Sequence, residues 1–221
     1  MPLQLVIGSK NYSSWSLRPW LLLRHYDLNF GEIRIDLFDA GYEEQLRRYS
    51  PSGRVPVLID EELSVWESLA IIEYLNEVYL DHRALPKGRE ARALCRSYCA
   101  EMHSGFPAIR SELPMNCRAR RSLQLSTNLR QEVARVDQLW VKARRRFVNS
   151  GDFLFGQFSM ADCMFAPVAL RFHSYGVQLS ATAAEYQQQL LSHKDVHDWC
   201  DAAAREKAVL TQFEVGTETD S

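Results

Sequence analysis

The stretch at residues 50–68 (SPSGRVPVLIDEELSVWES) most strongly limits how this chain can fold. It contains a turn, an extended segment interrupted by Pro56, an acidic turn, a second short strand and a helix start at Glu67 and Ser68. Proline has no backbone N–H, so Pro56 is unsuited to a strand interior and predicts a sharp bend of the kind that a cis peptide bond gives. Such a bend turns the main chain of Val55 outward, where it can bind a peptide-like ligand.

The pair Glu67-Ser68 beside this bend offers a carboxylate, a hydroxyl and the unpaired N–H groups of a helix start. Together these groups suit a zwitterionic ligand, because the helix N-terminus favours a negative charge and the carboxylate favours a positive one. The alternative is that Ser68 simply caps the helix, since serine is a preferred capping residue.

The apolar periodicity predicts two units, an α/β unit followed by an all-helical unit. The first has the order βαβαββα, and residues 81–88, which are charged and contain proline and glycine, predict a linker. The expected strands are residues 4–8, 33–36, 54–59 and 63–66, and the expected helices are residues 15–26, 42–49, 68–79, 90–112, 129–148, 160–173, 183–191 and 196–207. Pro19 places the first helix start near residues 15–18, because proline is tolerated in a first turn. Residues 216–221 are expected to fray.

Composition excludes several classes of function. The net charge of −2 gives no electrostatic case for nucleic acid, and the arginines at 118–121 and 144–146 are expected to be solvated. No segment resembles a signal peptide or a membrane span. Five scattered cysteines favour reduced thiols and a cytoplasmic location. Cys95 and Cys99 lack the partners of a zinc site, so no metal is predicted.

Four segments, taken together and in order, resemble the cytosolic glutathione transferase family, with a serine-type and somewhat zeta-like character. They are Ser13-Ser14-Trp15-Ser16-Leu17-Arg18, Gly53-Arg54-Val55-Pro56-Val57-Leu58, Glu67-Ser68 and Gly156-Gln157-Phe158-Ser159-Met160-Ala161-Asp162. The resemblance implies a thioredoxin-like glutathione-binding domain at residues 1–80, a linker at 81–88, a helical domain at 89–221 and a homodimer. Ser159 and Asp162 have the spacing of a capping box, which belongs to folding.

The resemblance also assigns the ligand-binding residues. It implies that Glu67 and Ser68 hold the γ-glutamyl end of glutathione and that the main chain of Val55 pairs with the cysteinyl backbone. Pro56 sets that geometry, while Arg54 either reaches a carboxylate or is solvated.

The chemistry depends on the loop before the first helix. A free thiol has a pKa of about 8.5, and a helix N-terminus together with a donating hydroxyl can lower it by about two units. Ser13 matches the first serine of the zeta-like Ser-Ser-Cys stretch, whereas other serine-type classes would select Ser14. Tyr12 is a further candidate, and the serines could instead be only loop and cap residues. Trp15 stands where the zeta-like stretch has its cysteine. This difference disfavours cysteine-based reductase chemistry and puts a zeta-type isomerase in doubt.

The leading hypothesis is a detoxifying transferase that attacks a small hydrophobic electrophile with glutathione thiolate. One alternative is glutathione-dependent cis–trans isomerisation of maleylacetoacetate or maleylpyruvate. Another is a non-catalytic binding module, because fold does not settle function. A disulfide oxidoreductase fits the sequence less well than these functions, since residues 13–16 lack the Cys-x-x-Cys motif. The second substrate is expected against the helical domain, where the candidates for either wall or core are Met102, His103, Phe106 and Ile109.

Overall fold

The computed structural model describes residues 2–219, and its first part is a four-stranded mixed sheet with three helices. The elements are β1 (Leu3–Ile7), α1 (Ser14–His25), β2 (Phe30–Arg34), α2 (Tyr42–Arg47), β3 (Val57–Asp60), β4 (Leu63–Trp66) and α3 (Ser68–Val78). The strand order is β2-β1-β3-β4; β1 and β2 are parallel, and the other pairs are antiparallel. This confirms the predicted βαβαββα thioredoxin-like unit.

Alternation along the central strands decides which helices cover each face of the sheet. Leu5 of β1 lies opposite Leu58 of β3, and both belong to the main hydrophobic core with α1 and α3. Their neighbours Val6 and Val57 point to the other face, where they pack with Leu46 of α2. The two central strands, β1 and β3, are therefore covered on both faces.

The second part is helical, as predicted. It contains α4 (Arg89–Ser104), α5 (Pro107–Glu112), α6 (Thr127–Phe147), α7 (Met160–Ser174), α8 (Ala181–Leu191) and α9 (Lys194–Arg205), with two-residue strands β5 (Arg121–Ser122) and β6 (Thr217–Glu218). Helix α1 contacts both α7 and α9, and buried side chains of the two parts form one continuous core. The two parts are thus packed against each other through α1.

The prediction of a single helix at residues 90–112 is wrong, because the helix is interrupted between α4 and α5. Gly105 is extended, and Phe106 adopts the left-handed conformation with a φ of 59°. Pro107 then begins α5, where its missing N–H has no helical partner to lose. The break follows from these three adjacent residues.

Helix α1 begins at Ser14, earlier than the expected 15–18. Ser13 is its N-cap, and its side chain accepts a hydrogen bond from the backbone N–H of Ser16. Pro19 consequently lies inside the helix and leaves the carbonyl of Trp15 without its usual i+4 donor. The start of α1 is therefore set by the Ser13 cap and not by the preference of Pro19 for a first turn.

The Ser159–Asp162 motif is a capping box at the start of α7. The Asp162 carboxylate accepts from the backbone N–H of Ser159 at 2.8 Å, from Leu154 N at 3.1 Å and from the hydroxyl of Tyr186 at 2.9 Å. Burial raises the pKa of Asp162 to about 6, although these donors oppose the shift. The motif serves the fold, as expected.

The C-terminal tail is ordered where fraying was expected. Strand β6 pairs with β5, and Arg121 forms ion pairs with Glu214 at 2.6 Å and Glu218 at 3.2 Å. Arg118 donates to the carbonyl oxygen of Ala208 at 2.9 Å. The expectation is therefore wrong for residues 216–219, and two arginines of the 118–121 cluster are paired; residues 220 and 221 lie outside the described residues.

Candidate functional site

A cavity of about 400 Å³ lies between the loop before α1, the loop before α2 and the bend before β3. Four of the predicted site residues line it, namely Ser13, Ser14, Arg54 and Val55. Pro56, Glu67 and Ser68 do not line it. The remaining wall includes aromatic side chains and residues of the C-terminal segment, namely Tyr12, Trp15, Phe38, Tyr42, Ala208, Leu210 and Phe213.

The Val55–Pro56 peptide bond is cis, so the predicted bend is present. The ladder between β3 and β4 begins at Val57, which leaves the main chain of Val55 outside the sheet and at the cavity wall. The hydroxyl of Ser50 stabilises the preceding turn, because it accepts from Arg54 N at 3.0 Å and lies 2.7 Å from Arg54 O. The Arg54 side chain itself is exposed.

Ser13 is half-buried, and its hydroxyl belongs to a short hydrogen-bonded chain. Its Oγ lies 2.7 Å from Ser16 Oγ, which in turn accepts from the backbone N–H of Gly8 at 3.2 Å. If Ser16 donates to Ser13, the proton of Ser13 is left for a group in the cavity. The same oxygen caps α1, so a group bound there also lies at the helix N-terminus.

The two alternative hydroxyls of this loop are engaged by other residues. Ser14 is only 5% exposed, and its Oγ accepts from Nη2 of the buried Arg171 at 3.0 Å. The hydroxyl of Tyr12 donates to Glu214 at 2.5 Å and accepts from Arg118 at 3.1 Å. Of the three candidates, Ser13 alone combines a partly exposed hydroxyl with a place on the cavity wall.

The Glu67-Ser68 pair stands at the start of α3, but Ser68 does not cap it. Glu67 is the N-cap residue and makes no side-chain cap bond, while its φ of 71° is unusual for a residue other than glycine. The Ser68 side chain is fully buried, and its Oγ has no hydrogen-bond partner in the described part of the chain. A buried hydroxyl without a partner is costly, so Ser68 is an unusual residue at this position.

Glu67 is linked to the cavity through the helical domain. Its carboxylate lies 3.6 Å from Nε2 of His103, whose ring meets that of Trp15 edge-on at 5.4 Å. Burial lowers the pKa of His103, and the nearby Arg18 lowers it further. The other proposed wall residues are core residues, since Met102, Phe106 and Ile109 are at most 6% exposed and none of them lines the cavity.

The C-terminal strap, residues 206–218, closes the remaining side of the cavity. The Glu206 carboxylate accepts from Ser9 Oγ at 2.5 Å, from Lys10 N at 2.8 Å and from Asn11 N at 3.2 Å, and it pairs with Arg34 at 2.8 Å. Its contacts thus tie the strap to the loop that ends at Ser13. No local sequence pattern indicated this role.

The residues described include one group with the composition of a metal site. Atoms of His25, His193 and Asp195 lie within 4.8 Å of one another. However, Nδ1 of His193 accepts from the backbone N–H of Asp195, so the neutral ring carries its proton on Nε2 and donates it to His25 at 3.0 Å. Both nitrogens of His193 are therefore occupied, and the arrangement is a hydrogen-bonded chain rather than an open set of ligands.

Fold and site together define a two-domain protein in which a thioredoxin-like unit with a cis-proline loop meets a helical unit. Family models described as "Glutathione S-transferase, N-terminal domain" and "Glutathione S-transferase, C-terminal domain" match residues 12–78 and 89–203. The chain belongs to the glutathione S-transferase family. Among residues 2–219, no helix is long and apolar enough to cross a membrane.

Individual relatives differ in what their names describe. A stringent starvation protein A homolog from Pasteurella multocida is 25% identical over 171 residues, covering 72% of this chain and 77% of that protein. A probable maleylacetoacetate isomerase from Vibrio cholerae is 42% identical over 98 residues, covering 41% of this chain and 46% of that protein. A Burkholderia glutathione transferase homolog solved with bound glutathione has a TM-score of 0.69 at 23% identity, covering 93% and 100% of the two chains.

Proposed function

We propose that this protein is a glutathione transferase in which the Ser13 hydroxyl donates a hydrogen bond to the glutathione sulfur and stabilises its thiolate. The observation that carries the proposal is the arrangement around the cavity. Ser13 and Val55 line the same cavity, and Ser13 is more exposed than Ser14, which is buried and accepts a bond from Arg171, while the Tyr12 hydroxyl donates to Glu214. The thiolate then attacks a small hydrophobic electrophile.

The peptide part of glutathione is bound along the bend and the start of α3. The main chain of Val55 pairs with the cysteinyl backbone, and the cis bond to Pro56 holds that main chain outside the sheet. Ser68 donates its unpaired hydroxyl to the γ-glutamyl carboxylate, and Glu67 pairs with the ammonium group. Arg54, exposed at the cavity, is available to the glycine carboxylate.

Thiolate formation needs two contributions. Lowering a thiol pKa by about two units requires roughly 2.7 kcal/mol. A helix N-terminus supplies about 0.3–1 kcal/mol, or up to about 2 kcal/mol when partly buried, and a hydrogen bond supplies roughly another 1 kcal/mol. Ser13 meets both conditions, because it caps α1 and keeps a hydroxyl at the cavity.

Two other functions have specific support from relatives. The Vibrio cholerae protein is named a probable maleylacetoacetate isomerase, but its match spans less than half of either chain. The Pasteurella multocida protein is named a stringent starvation protein A homolog and matches over a longer part, which keeps a non-catalytic binding role open. We also propose that the chain forms a homodimer and acts in the cytoplasm, as its family resemblance implies.

Conjugation of a chlorinated nitroaromatic with glutathione tests the transferase directly. Ser13→Ala is expected to reduce kcat/KM about tenfold at neutral pH, and Ser14→Ala to reduce it less. Ser104→Ala is the matched control, because Ser104 is exposed and its hydroxyl donates to the Ala100 carbonyl of its own helix. Unchanged turnover in Ser13→Ala would refute the role of Ser13, and unchanged turnover in both site variants would refute any serine mechanism.

The competing functions have distinct signatures. A transferase consumes one glutathione for each electrophile, whereas an isomerase of maleylacetoacetate or maleylpyruvate consumes none. Calorimetry that detects tight glutathione binding, without turnover of any electrophile, would favour the binding module.

A further inference from the structure

Arg18 in helix α1 is a buried cation without an anion. Its side chain is 1% exposed, and both Nε and Nη1 are buried without a hydrogen-bond acceptor in the described part of the chain. A guanidinium has five N–H donors, three of them on Nε and Nη1, and leaving such donors unpaired in the interior is among the more expensive arrangements in a protein. Arg18 therefore requires a reason other than folding.

The surroundings of Arg18 increase this cost. Arg171 and Arg110 are the nearby charges that act against it, and no carboxylate of residues 2–219 forms an ion pair with it. Burial and these two arginines lower the pKa of Arg18 to about 9, so it is still charged at pH 7. The three guanidinium groups create a positive field at the junction of the two domains.

The indole ring of Trp15 lies against two of these arginines. The guanidinium carbon of Arg18 lies 4.1 Å from the centre of the indole ring, and that of Arg110 lies 5.7 Å from it. Trp15 is half-buried and lines the cavity beside Ser13. A displacement of the indole would open the cavity to Arg18, which is one helical turn further along α1.

We propose that Arg18 binds a carboxylate of the second substrate and that Trp15 covers this site until the substrate enters. The inference rests on the proposed transferase function and deepens it, because it assigns the electrophile to a class: a small, flat molecule with an apolar reactive part and an acidic group. A planar fork of donors suits bidentate binding of a carboxylate. The apolar cavity holds the reactive part of the molecule.

A matched pair of electrophiles tests the assignment. A chlorodinitrobenzoate and its methyl ester differ in the negative charge, and in both the thiolate forms a carbon–sulfur bond while chloride leaves with the bonding electrons. Rates are divided by the uncatalysed rates with glutathione. The wild type should favour the acid, and Arg18→Met should reduce kcat/KM for the acid about tenfold or more, the effect of losing a charge-assisted bond. The ester should change less than about twofold.

Arg145→Met is the control, since Arg145 is an exposed arginine of α6. Trp15→Ala removes part of the cavity wall and therefore affects both electrophiles, but it also uncovers Arg18, so the ratio of KM for the acid to KM for the ester should fall below the wild-type ratio. An unchanged ratio would overturn the covering role of Trp15. If Arg18→Met instead raises KM for glutathione and slows both electrophiles equally, the carboxylate belongs to glutathione and the assignment to the second substrate is wrong.

Thermal unfolding separates this inference from the transferase proposal. Arg18→Met should be at least as stable as the wild type, because it removes a buried charge without a partner. Unreactive dinitrobenzoate should raise the Tm of the wild type and of Arg145→Met but not that of Arg18→Met. This result would support the carboxylate site even if no conjugation is detected, whereas an equal Tm shift in all three proteins would overturn it.

Discussion

Ser68 and Ser126 both stand at the N-terminal ends of helices, but they differ in whether the protein itself satisfies their hydroxyls. Ser126 is the N-cap of α6 and accepts from the backbone N–H of Leu129 at 3.1 Å. Ser68 is buried at the start of α3 and has no partner among the described residues. The first serine serves the helix, and we interpret the second as serving a ligand.

This contrast gives a paired prediction. Ser126→Ala should lower the free energy of unfolding by about 1 kcal/mol, because it removes a helix cap, and should leave glutathione affinity unchanged. Ser68→Ala should leave stability nearly unchanged and weaken glutathione binding about tenfold, the effect of one lost hydrogen bond to a charged group. Chemical denaturation and calorimetry on the same preparations measure both quantities. Equal loss of stability in the two variants would contradict the ligand-binding role.

For single residues, the sequence predicted correctly those features that depend on neighbouring residues in the chain. The bend at Val55-Pro56 followed from the missing N–H of proline, and the cis bond is present. The sequence could not distinguish Ser13 from Ser14 as the thiol-binding candidate, because the partner of Ser14 is Arg171, 157 residues away. A single sequence carries no signal for such a contact.

At the scale of elements, the C-terminal strap is the largest feature that sequence patterns did not predict. The sequence predicted fraying of residues 216–221 and no structure for residues 208–215. The order of the strap comes from contacts with distant parts of the chain: Glu206 accepts from Ser9, 197 residues earlier, and Arg121 pairs with Glu214 and Glu218. By contrast, the four strands of the first domain and most helices were predicted because apolar periodicity is a local property, whereas β5 and β6 were not.

Replacement of Glu206 tests whether the strap positions the loop that carries Ser13. Glu206→Gln removes the ion pair with Arg34 and turns an NH2 group toward backbone donors. We expect about 2 kcal/mol less stability and a lower kcat, since the loop loses its anchor. Glu77→Gln, an exposed change on α3, is the control. Wild-type stability and kcat in Glu206→Gln would show that the strap does not hold the loop.

At the scale of the whole molecule, the first domain exposes apolar side chains near its outer edge. Leu63 is 48% exposed and Tyr79 is 37% exposed, and both line a shallow hollow beside β4 and α3. Contiguous exposed apolar surface can mark a contact between molecules, although acidic residues 60–62 also line this hollow. The homodimer predicted from the family resemblance stays a prediction, and this surface is where we expect the contact.

Sedimentation measures the assembly directly. The wild type should sediment as a dimer, and Leu63→Asp should shift it toward the monomer, because a charge would be buried without a partner. Val209→Asp is the matched control, since Val209 is 61% exposed on the C-terminal strap. A monomeric wild type would refute the dimer, and a dimeric Leu63→Asp would exclude this surface as the contact.

The central claim is that Ser13 lowers the pKa of the bound glutathione thiol, and ultraviolet titration of the thiolate in the binary complex tests it most directly. In the wild type, we expect a thiol pKa about two units below the free value of about 8.5, so that the thiolate is lost as pH falls through roughly 6.5. Ser13→Ala should raise the bound pKa by about one unit, and Ser14→Ala should change it by only a few tenths. A thiol pKa that is the same in the wild type and in Ser13→Ala would contradict the account.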